Sequence, residues 1–66
     1  MTPDANRVGL MILRIWTEGS SPTLRARITH TLDLSKGEPT ITQAAGQEQV
    51  LAIAREWIEA FAAEAV

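Results

Sequence analysis

The chain has 66 residues, enough for one small domain and too few for a second core. Hydrophobic residues make up 45% and charged residues 21%, which excludes a disordered or fibrous class. The net charge of -2, six Lys and Arg against eight Asp and Glu, argues against a general nucleic-acid coat, and the lack of cysteine excludes disulfides, thiolate metal sites and a cysteine nucleophile.

Residues 1–7 are polar, contain Pro3 and lack periodicity, so they read as a flexible tail ahead of a domain spanning 8–66. Residues 8–17 are rich in Val, Ile, Leu and Trp, with Arg14 the single charge; β-branched and aromatic side chains suit a pleated surface, and a strand is expected. The run is too short to cross a bilayer and no cleavage site follows it, so neither membrane nor export is expected and the cytoplasm is the default location. Glu18 to Thr23 holds Gly19 and Pro22, a turn.

Residues 24–34 alternate. Leu24, Ala26, Ile28, His30, Leu32 and Leu34 point one way, and Arg25, Arg27, Thr29, Thr31 and Asp33 the other, the signature of a second strand. Ser35 to Pro39 forms a second turn, and residues 40–44 suit a short third strand. Residues 47–65 carry Val50, Ile53, Ala54, Trp57, Ile58 and Phe61 on one helical arc of about 180°. Their alanine content favours a helix, with Gly46 at the N-cap and Gln49 at the capping-box position. Short connections make the strands antiparallel, and the helix must cover one sheet face. The expected architecture is a two-layer α+β domain, an antiparallel two- or three-stranded sheet followed by one C-terminal helix, in the order β-β-β-α.

Catalytic residue types are present without a catalytic pattern. His30 falls on the apolar strand face and Asp33 on the other, so they do not pair, and neither Ser20 nor Ser21 sits in a nucleophile motif. One histidine and scattered carboxylates make no metal set, and the glycines lack phosphate-loop spacing. No enzyme, cofactor or metal is expected.

The sheet face turned away from the helix is more informative. If Thr17 pairs with Leu24, then Trp16 faces Arg25 and Arg14 faces Arg27. The expected interaction surface is therefore Leu10, Ile12, Arg14, Trp16, Arg25 and Arg27, flanked by Thr29, Thr31, Thr40 and Thr42, with Arg25 placed to stack on Trp16. Met11, Leu13, Ile15, Ala26, Ile28, Leu32 and Ile41 are expected to face the helix. The helix arc is wide, so one flank, Leu51, Ile58 and Ala62, is a second candidate contact.

Apolar burial worth ~87 kcal/mol at ~25 cal/mol/Å² is matched by about the same cost of ordering some ~58 residues at ~1.5 kcal/mol each. Chains with so little surplus commonly gain stability from a partner subunit. These features point to a non-enzymatic, homo-oligomeric protein-interaction module, most simply a two-fold dimer joined through the outer sheet face. The alternatives are a small acidic regulator or inhibitor, antitoxin-like, that occupies a larger partner's surface, and a sheet-based nucleic-acid binder using Arg14, Trp16, Arg25 and Arg27, which the net charge disfavours.

Overall fold

The computed structural model describes residues 7–64. Three strands, β1 (Leu10–Thr17), β2 (Leu24–Thr31) and β3 (Thr40–Ala45), precede one helix, α1 (Gln47–Glu64). The sheet is antiparallel in the order β1-β2-β3, so β2 is central and β1 and β3 are edges. This is the small α+β domain that the alternation, the turns and the alanine-rich helix predict. None of its helices is long and apolar enough to cross a membrane, among the described residues.

The β1–β2 register has Thr17 opposite Leu24, Trp16 opposite Arg25 and Arg14 opposite Arg27, the pairing expected across the turn at residues 18–23. Within that turn Ser21 N–H donates to the Glu18 carbonyl at 3.0 Å and Thr23 N–H to Ser21 Oγ at 3.2 Å. In the β2–β3 pair, Ala26 lies opposite Ala44, Ile28 opposite Thr42 and Thr29 opposite Ile41. Ile41 is therefore on the face away from the helix, 52% exposed, and Thr40 and Thr42 are on the helix side, the reverse of the expected phase. The β2–β3 register sets the phase: Thr42 opposite the inward Ile28 must face the helix, and Ile41 opposite Thr29 must face away. The alternation read over residues 24–34 also stops early, since β2 ends at Thr31, and beyond it the Leu34 N–H donates to the Val8 carbonyl at 2.9 Å.

The buried core is Ala26, Ile28, Ala44 and Val50, with Met11, Leu24 and Ile53 packed around it. The two opposed alanines leave room for Val50 to close on the sheet, and Ile28, 1% exposed, fills the centre.

Tethers at its two ends fix the course of α1. At the start, Gly46 adopts φ 86°, a conformation that side-chain-bearing residues rarely take, and its N–H donates to the Leu24 carbonyl at 2.8 Å. Gln49 Oε1 accepts from the Ala45 N–H at 2.8 Å, one residue before the Gly46 N–H that a capping box would use, because Leu24 already holds that donor. At the other end Trp57 and Phe61 lie over Gly9; a Cβ there would meet their ring atoms at 3.0–3.1 Å, so a larger residue would push the rings back by a few tenths of an ångström. Trp57 Nε1–H donates to the Thr31 carbonyl at 3.3 Å.

The expected tail lies outside the described residues except for Arg7, which is bound. Its guanidinium donates to the Phe61 carbonyl at 2.6 Å and to Glu64 at 2.8 Å, and sits 4.2 Å from the Phe61 ring centroid. The last turn of α1 contains no basic residue of its own, and Arg7 supplies the cation that the C-terminal end of the helix dipole favours. The helix thus starts over β2 and β3 and finishes at the entry to β1. The middle and far half of β1 lie beside its path.

Candidate interaction surface

The six residues singled out from the sequence share one surface. Leu10, Ile12, Arg14 and Trp16 run along the outer face of β1, and Arg25 and Arg27 stand beside them on β2. Leu10 and Ile12 are 41% and 54% exposed, Trp16 is half-buried, and Ile41 extends the apolar strip from β3. The stacking partner of Trp16 is Arg14, whose Cζ lies 5.2 Å from the ring centroid, rather than the expected Arg25. Alternate residues of one strand share a face, so Arg14 reaches the indole along β1, while Arg25 turns to Glu18 with Nε 3.5 Å from Oε1. That pair is exposed on both sides and contributes little. Arg14 and Arg27, opposite each other, make no ion pair among the described residues. The outer face is accordingly apolar along β1 and cationic across β1 and β2.

A second exposed apolar surface differs from expectation. Leu13 and Ile15 lie on the helix side of β1, as their register requires, yet are 44% and 52% exposed. The diagonal course of α1 leaves them uncovered. Leu51 and Ile58, 53% and 58% exposed, project from the flank of α1 opposite Glu56 and Ala60. Glu56 and Ala60 line a cleft with Thr40 and Thr42 on the β3 side, so the Leu51–Ile58 flank looks toward β1. The helix periodicity pointed to Leu51 and Ile58; nothing in the strand pattern marked Leu13 and Ile15 as uncovered.

That cleft, about 580 Å³ and open to solvent, also holds His30, Asp33 and Lys36. His30 Nε2 and Thr42 Oγ1 share a hydrogen bond at 3.2 Å whose direction follows the imidazole tautomer. Asp33 Oδ1 accepts from the Ser35 N–H at 2.9 Å and the Ser35 hydroxyl at 2.7 Å, and these bonds hold the carboxyl below the usual aspartate range. Ser21 is held within its own turn. The serine, histidine and aspartate are each engaged locally and form no nucleophile–base relay. Among the described residues no three His, Asp or Glu side chains converge as metal ligands.

Compared with known proteins, the chain matches no family model, no curated protein and no solved structure.

Proposed function

We propose that this chain is a non-enzymatic interaction module that works as a homo-oligomer, most simply a two-fold dimer. The supporting observation is the imbalance between what is buried and what is exposed around β1. Among the described residues four form the buried core, none larger than Ile28. Leu10 and Ile12 on one side of β1, and Leu13 and Ile15 on the other, all stand more than two-fifths exposed. Without a disulfide, a domain of this size gains stability by covering such surface with another chain. Sedimentation velocity at micromolar concentration tests the reading. A mass twice that of the chain is expected. A stably folded monomer would overturn it and shift weight to the small regulator that occupies a larger protein's surface.

The outer face favours a second activity for the same module, the binding of an anionic partner through Arg14, Trp16, Arg25 and Arg27. Three guanidiniums share one open face with one paired carboxylate, Glu18, and an aromatic ring lies beside them. Single-stranded nucleic acid offers phosphates for the arginines and bases for Trp16. Labelled oligonucleotide binding that falls steeply with salt, and falls again in Arg27→Ala, is the expected result. No retention at low salt would dismiss it.

A further inference from the structure

We infer that two copies of this chain pair antiparallel along the open edge of β1, with Leu13 on the two-fold axis, joining their sheets into one. The inference rests on the homo-oligomer reading and names the surface, the register and the residues that come together.

The two edges of the sheet are built differently. β3 is the shorter edge, six residues against eight, and Pro39 stands immediately before it, where no N–H is available to extend a ladder. β1 has no proline or lysine, pairs with β2 in unbroken register from Leu10 to Thr17 without a bulge, and has Arg14 as its single charge. Its sequence, Leu-Met-Ile-Leu-Arg-Ile-Trp-Thr, is a nearly continuous apolar run broken only by Arg14, and an exposed apolar edge of this kind is a template for pairing with another strand. In the single chain it is an edge strand. A second β1 would make it an interior one.

Symmetry and charge choose the register. A two-fold axis normal to the sheet keeps each face on its own side and sets residues of like face opposite one another. With the axis at Leu13, Leu13 meets its own copy, Met11 meets Ile15, Ile12 meets Arg14 and Leu10 meets Trp16. Moving the axis to Arg14 sets the two arginines directly opposite, which is unfavourable. Moving it to Ile12 shortens the paired stretch.

The same axis puts both helices on one face. Leu51 and Ile58 of each copy then look across the axis toward the other helix, above the paired Leu13 and Ile15 side chains. Those four side chains, each exposing about half its surface, supply roughly half of the ~800 Å² per partner that a stable interface buries, and the strand edge supplies the rest. Stacking two outer faces would instead oppose three arginines with three more, so the outer face is the poorer self-contact. Edge pairing covers Leu13 and Ile15 and leaves the outer face, Leu10 and Ile12 included, open to a further partner.

Cysteine cross-linking tests the register, since the chain has no cysteine of its own. Opposed Leu13 residues have Cα atoms about 4.5–5.5 Å apart, within the ~4.4–6.8 Å that a disulfide spans. Ile12 of one copy lies two residues out of step with Ile12 of the other, about 8 Å away and beyond that span. Mild oxidation should convert Leu13→Cys to a covalent dimer and leave Ile12→Cys largely uncrosslinked. Ile15→Lys should raise the dimer dissociation constant about thirtyfold or more, the scale of one hot-spot side chain; if this variant does not fold, the disulfide pattern alone decides. A wild type that sediments as a folded monomer refutes the homo-oligomer and the pairing together. A dimeric wild type in which Leu13→Cys cross-links no better than Ile12→Cys keeps the oligomer and overturns the β1 edge.

Discussion

Replacing Ile28 by alanine should remove a large part of the stability of this domain. Ile28 is the one large side chain fully buried among the described residues, on the central strand opposite Leu13 and Thr42. The substitution deletes three carbons, about 2.4 kcal/mol at ~0.8 kcal/mol for each buried CH₂. A cavity penalty adds to this, and measured isoleucine-to-alanine changes in cores fall at about 2–5 kcal/mol. A chain of this length has a total stability of about 3–10 kcal/mol at ~0.05–0.15 kcal/mol per residue. The comparison is Ile41→Ala, the same chemical change on a β3 position that is 52% exposed, where about 1 kcal/mol or less is expected. Urea unfolding followed by fluorescence of Trp16 and Trp57, at one fixed protein concentration, reads both variants; the fixed concentration matters because a dimer's midpoint depends on it. An Ile28→Ala midpoint no lower than that of Ile41→Ala would refute the assignment of the two sheet faces.

Arg7→Ala removes the hydrogen bond to the Phe61 carbonyl and the cation at the helix end, so a loss of about 1–3 kcal/mol and faster amide exchange in the last turn of α1 are expected; unchanged exchange there would show that the contact does not hold the helix end. Asp33 titrates below the usual aspartate range because Ser35 donates to it, so its contribution to stability is present above the unfolded-state value and is lost as the pH falls through the folded one. In Ser35→Ala the Asp33 carboxyl, followed by NMR, should titrate closer to the ordinary value, and an unmoved titration would discount the turn as its cause.

The sequence carried the strand order and the first hairpin register because both depend on local chemistry. Gly19 and Pro22 mark the turn at residues 18–23, and taking Thr17 and Leu24 as the pair that flanks it gives every face assignment across β1 and β2. The phase of β3 was not legible. It is set by the pairing of Thr42 with Ile28 across a connection of eight residues, 32–39, whose course no local pattern marks. Arg7 was misplaced for a related reason. A lone arginine after a polar tail carries no periodicity, and its partners, Phe61 and Glu64, lie at the opposite end of the chain.

The exposure of Leu13 and Ile15 reflects a further step that patterns cannot reach. A helical wheel gives the side of α1 that meets the sheet, but not the line along which α1 crosses it. The tethers draw that line: Gly46 to Leu24 at one end, and Phe61 over Gly9 with Arg7 at the other. Held at these points, α1 covers Ala26, Ile28 and Ala44 and passes the far half of β1. The composition of β1 suits an interior strand, whereas its position in the single chain is an edge. A second β1 on that edge reconciles the two, covering Leu13 and Ile15 while leaving Arg14, Trp16, Arg25 and Arg27 facing outward. Self-association through one side of β1 and anion binding through the other are then compatible, and pairing would increase the affinity for a long anionic partner by offering it two cationic faces in one plane.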